Sequence, residues 1–130
     1  MRRSTRALGA ALVALAACAC GSDQTSAMLG TGHWGPYDVE VETRPAPPRA
    51  GNNEVVVMVT GELHRPVYDA LVHLRADPAA PWVQAIEDGH VGVYRRAVNF
   101  NRDTTMLDVQ LRRGDEMTVM AFPVTIGALR

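Results

Sequence analysis

Thr105-Met106-Leu107-Asp108-Val109-Gln110-Leu111-Arg112 carries the cleanest periodicity in the chain. Leu107, Val109 and Leu111 fall on one side of an extended strand, and Asp108, Gln110 and Arg112 on the other, because successive strand side chains point to opposite faces. One side meets a core and the other meets water. Arg113-Gly114-Asp115 then turns the chain, and residues 116–126 return as a partner strand. Pro123 places the far end of that return strand at an edge or past a bulge.

The same reading extends upstream. Residues 37–43 alternate acidic with apolar or aromatic side chains, a half-buried strand. Pro45, Pro47 and Pro48 break it, and Gly51-Asn52-Asn53 turns into the run Val55-Val56-Val57-Met58-Val59, suited to a central strand. Residues 61–66 read as a loop. Residues 67–76 place Ala70, Val72 and Leu74 on one face and Leu71, His73 and Arg75 on the other. Proline breaks the chain again at Pro78 and Pro81, and residues 82–86 fit either a short strand or a single helical turn. Asp88-Gly89 leads into residues 91–100, with Tyr94, Val98 and Phe100 in phase. Six or seven short strands between regularly spaced turn signals predict an all-β domain, a single antiparallel immunoglobulin-like β-sandwich.

Before this domain the composition changes. Arg2, Arg3 and Arg6 precede a short apolar run ending in Leu15-Ala16-Ala17-Cys18, which has the layout of a bacterial lipoprotein signal. Residues 7–17 are too short an apolar run to cross a hydrocarbon layer about 30 Å thick. Residues 1–17 are therefore expected to direct export and be removed, with lipid attached at Cys18. Cys20 fits the pattern less well, having Ala17 rather than leucine three positions before it. Two or more acyl chains anchor stably, at about 0.8 kcal/mol per buried methylene. Residues 18–36, rich in glycine and small polar side chains, read as a flexible tether. The domain proper is then 37–126. The absence of Asp after Cys18 leans towards the outer membrane of a Gram-negative envelope, facing the periplasm.

Removing 17 of the 130 residues leaves 113, enough for one modest domain. Ten arginines face 14 acidic residues in the mature chain, a balance of −4 that offers no footprint for nucleic acid. From Tyr37 onward there is no serine, cysteine or lysine. A serine or cysteine nucleophile, a lysine Schiff base and an internal disulfide are all excluded from the domain.

Small motifs follow in a recognisable order: Gly51-Asn52-Asn53, then Arg65-Pro66-Val67 with Ala70 and Val72, then Gly92-Val93-Tyr94, and finally Val119 to Val124. Over residues 37–126 the chain resembles the YtkA-like and FixH group of small exported immunoglobulin-like domains. That resemblance implies a membrane-tethered domain without catalytic residues, and a link to copper handling and assembly of a copper-containing oxidase. The chain departs from the group where Gly-x-Trp is frequent, reading Asp103-Thr104-Thr105-Met106 instead, and where relatives carry a Met- and His-rich loop, reading Pro78-Ala79-Ala80-Pro81-Trp82.

Copper(I) prefers thioether and imidazole ligands. His64 and His90 are the candidate ligands, since both lie on expected loops. Met117 and Met120 sit three apart and point to opposite faces of a strand. Asp88 and His90 flank Gly89, which is ordinary turn chemistry. Arg95-Arg96 and Arg112-Arg113 are candidates for a basic stripe on adjacent strands, but Asp108, Asp115 and Glu116 lie close in sequence and a mixed, solvated face is the expectation. Arg96, in phase with Tyr94 and Val98, is expected to pair with a carboxylate or reach the rim. The expectation is a non-enzymatic, lipid-anchored binding or accessory domain with no cofactor. Its partners would be the membrane, through its N-terminal lipid, and an envelope protein complex. A copper-binding accessory protein is the alternative.

Overall fold

The computed structural model describes residues 25–128. The lipobox, Cys18 and the signal peptide lie outside the described residues. The described residues are all-β and antiparallel, with eight strands where six or seven were expected. They are β1 (Ala27–Trp34), β2 (Tyr37–Arg44), β3 (Gly51–Thr60), β4 (Leu71–Arg75), β5 (Val83–Glu87), β6 (Val93–Phe100), β7 (Met106–Arg113) and β8 (Glu116–Pro123). They form one sheet in the order β1-β2-β3-β6-β5-β4-β7-β8.

The additional strand is β1, which occupies what the composition suggested was tether. It pairs with β2 from Ala27↔Thr43 to Trp34↔Tyr37, with a bulge between Met28 and Gly30. Two of its inward positions are glycines, between Leu29 and Trp34, which pack against the core. A Cβ on Gly30 would lie 3.0 Å from the Phe122 ring, and one on Gly32 would lie 2.8 Å from Met120 Sδ. The side chains of β8 thus fill the space that β1 leaves empty, and the two ends of the sheet meet. The fold is a nearly closed curl around a single core.

That core is the set of inward positions the alternation selects. Val39, Val41, Val55, Val57, Val72, Leu74, Leu107, Val109 and Leu111 are all fully buried, each contributing roughly 1.5–3 kcal/mol of transfer free energy. Val56 points outward yet is 2% exposed. It lies opposite Glu42 on β2 and Arg95 on β6, under an ion-pair lattice in which Arg44 reaches Glu42 and Glu54, and Arg95 reaches Glu54 and Asp88. Asn53 is buried with its amide fully used. It accepts the Arg49 N–H at 3.0 Å and donates to the carbonyls of Arg49 and Gly51, which closes the proline-rich β2–β3 connection.

β5 resolves the strand-or-turn ambiguity of residues 82–86 in favour of strand, and it changes partner along its length. Val83, Gln84 and Ala85 pair with β4, while Ile86 and Glu87 pair with β6. β6 and β7 are consequently not neighbours. Arg95-Arg96 and Arg112-Arg113 therefore do not lie on adjacent strands, which corrects that placement and leaves the mixed face rather than a basic stripe. Arg95 and Arg113 are each paired with carboxylates instead.

Strict antiparallel alternation sorts the connections into two ends. β1 begins at one of them, the entry end. The opposite, hairpin end gathers residues 35–36, 61–70, 88–92 and 114–115.

Candidate functional site

The hairpin end holds the most developed side-chain constellation. Its centre is Arg113, the last residue of β7, whose Nε donates to Asp69 Oδ1 at 2.8 Å and Nη2 to Asp69 Oδ2 at 3.1 Å. Its Nη1 donates to the Tyr37 hydroxyl, and the guanidinium carbon stands 5.4 Å from the Tyr37 ring centre. Tyr37 packs in turn against Trp34, with ring centres 5.3 Å apart. Bidentate arginine–carboxylate pairing fixes both partners in one plane. The bonded guanidinium holds the Asp69 carboxyl below its usual range, and the same carboxylate pushes the Arg113 pKa up.

Tyr37, Asp69 and Arg113 form one wall of an open cleft of about 470 Å³, with Glu62, Leu63, Arg65 and Tyr68 around the rim. The β3–β4 connection shapes it. Gly61 N–H donates to Arg65 O at 2.7 Å, and Arg65 N–H donates back to Glu62 O at 3.2 Å. Between them Leu63 and His64 both take φ of 55°. Consecutive left-handed residues are the signature of a tight turn that favours Asn-Gly. For Leu and His that conformation costs on the order of 1 kcal/mol each. Leu63, at the apex, is 83% exposed. Tyr68 and Val91 are exposed as well, and Tyr68 meets the His90 ring edge-on.

The two histidines singled out from the sequence thus sit on loops at this end. His90 Nδ1 lies 3.5 Å from Glu87 Oε1. Among the described residues no three His, Cys, Asp or Glu side chains gather as a metal-ligating group. Met117 and Met120 do diverge, the first exposed and the second packed on the core. Arg96 is exposed and makes no ion pair among the described residues; of the two expectations for it, the carboxylate pair does not form. Asp88, beside Gly89, accepts from Arg95 Nε at 2.8 Å through its side chain, while its backbone amide donates to Val93 O across the turn.

A second cleft, of about 390 Å³, lies at the entry end and includes Asp77, Asn101, Asp103 and Asp108. Two of its carboxylates are engaged: Asp108 by Arg75 at 3.1 Å, and Asp77 by the Ala79 amide at 2.9 Å.

The sequence reading missed Tyr37, Leu63, Tyr68, Asp69 and Arg113 as a group. The one signal available was a leucine inside a polar loop, at Gly61-Glu62-Leu63-His64, where no apolar period calls for it. No protein-family model matches the chain, nor does any curated protein or any solved structure.

Proposed function

We propose that the chain is a lipid-anchored, exported, non-catalytic binding domain of a bacterial cell envelope, and that it docks a protein partner through its hairpin end. One observation carries this. Leu63 is held almost fully in water on an unfavourable turn, in one cleft with Tyr37 and with Arg113, which Asp69 engages through both carboxylate oxygens. Exposed apolar side chains on strained backbone mark functional surfaces. Tyr, Trp and Arg are the residue types that dominate binding hot spots.

The tether sets the distance from the membrane. Eight residues lie between Cys18 and Ala27 at the start of β1, a reach of at most roughly 30 Å. With lipid on Cys18 the start of β1 stays within that distance of the head groups. The finer fold reading belongs to the same proposal. It takes β1-β2-β3-β6 and β4-β7-β8 as two immunoglobulin-like layers bridged by β5, in the manner of the YtkA-like and FixH group.

A photo-crosslinking residue placed at Leu63 or Tyr68 tests the docking face in living cells. Discrete adducts with one envelope protein are expected from both positions, and none from Met28, an exposed residue at the entry end. Adducts from Met28 alone would reverse the assignment. The copper alternative has one observation in its favour, that His64 and His90 share the hairpin end. Stoichiometric copper(I) binding lost in a His64→Ala, His90→Ala double variant would establish it, and no binding would remove it.

A further inference from the structure

The change of partner along β5 leaves a gap in the sheet. β5 pairs with β6 only through Ile86↔Arg95 and Glu87↔Tyr94, yet β6 continues to Phe100. The amide of Asp88 donates to Val93 O at 2.7 Å, which fixes the orientation of the strand. Backbone groups alternate sides along a strand, so Val93, Arg95, Ala97 and Asn99 turn theirs towards β5. Arg95 meets Ile86. Ala97 and Asn99 are exposed and meet no strand on that side.

Beside this open edge lies a cavity of about 190 Å³, walled by Leu74, Ala80, Pro81, Val83 and Val98. Leu74 is fully buried and Val98 is 6% exposed, so the floor of the cavity is the core itself. Arg96 completes the picture. It lies opposite Val55 in the register, in the inward phase of β6, but is exposed and has no carboxylate partner among the described residues.

We propose that the split between β5 and β6 is a strand-addition site for an extended peptide bearing an apolar side chain followed, two positions later, by an acidic one. Main-chain groups of the peptide pair with Ala97 and Asn99, the affinity source in this mode of recognition, while side-chain pockets set its specificity. In antiparallel addition the residue opposite Val98 precedes by two the residue opposite Arg96. The first fills the cavity and the second meets the unpaired guanidinium. The charge of Arg96 is what selects this occupant. The site lies towards the entry end, apart from the hairpin-end cleft, so its failure would leave the docking face untouched.

Panning a displayed library of random peptides on the full chain tests the proposal. Enriched sequences are expected to carry the apolar-x-acidic pattern, to shift the backbone amide signals of Ala97 and Asn99, and to lose at least tenfold in affinity when N-methylated along the strand. Ala80→Trp, which fills the cavity, should abolish selection. Arg96→Glu, at an exposed position, should switch the selected charge from acidic to basic, and it remains decisive if Ala80→Trp does not fold. An unenriched library, peptides that move only other amides, or an unchanged acidic preference on Arg96→Glu would each overturn the proposal.

Discussion

The Tyr94 hydroxyl donates to the Val67 carbonyl at 2.8 Å while it accepts the Ala70 amide at 3.1 Å. One side chain of β6 thereby pins the descending arm of the β3–β4 connection to the core. Tyr94 is 1% exposed. Tyr94→Phe keeps the ring and orphans two buried backbone groups, at a cost of roughly 1–3 kcal/mol. Urea denaturation should show a lower midpoint with an unchanged slope.

The same hydroxyl makes the fold sensitive to alkali. Burial, first of all, pushes the Tyr94 pKa up from its ordinary value. The native state therefore favours the neutral phenol. This contribution to stability is complete below the unfolded value of about 10 and is lost as pH rises through the higher folded value. Thermal melts across that range should show the wild type losing stability at alkaline pH, and Tyr94→Phe losing less.

Thr43 gives a prediction of opposite sign. It is fully buried among the valines of β2 and β3, and its hydroxyl has no hydrogen-bond partner. Replacing an unsatisfied buried hydroxyl with an apolar group of the same shape removes a desolvation penalty of about 1–3 kcal/mol. Thr43→Val should raise the denaturation midpoint. A lower midpoint would mean that the hydroxyl is satisfied by water.

The turn at Leu63 and His64 should trade stability for binding. A Leu63→Asn, His64→Gly double variant installs the residues that this backbone favours and should gain about 1–2 kcal/mol. It also deletes the exposed apex. Higher thermal stability together with weaker partner capture is the expected pair of results.

How much of this was legible in the sequence depended on where each strand keeps its apolar mass. β7 announced itself because Leu107, Val109 and Leu111 supply their own core face, and all three are fully buried. β1 did not, because Gly30 and Gly32 lend their inward positions to Met120 and Phe122 of β8. A strand whose middle is packed by another strand's side chains has no alternation there to read. The split of β5 between two partners depends equally on distant neighbours. The hairpin-end site combines Tyr37 of β2, Asp69 of the β3–β4 connection and Arg113 of β7, and no local spacing reports such a convergence. Only the misplaced leucine at position 63 hinted at it.

Intact-mass spectrometry of the protein extracted from membranes tests the tethered arrangement most directly. Lipidation predicts a chain that begins at Cys18, carries diacylglycerol with a further acyl chain, and becomes soluble in Cys18→Ser cells. An unmodified, freely soluble chain beginning at another residue would contradict it.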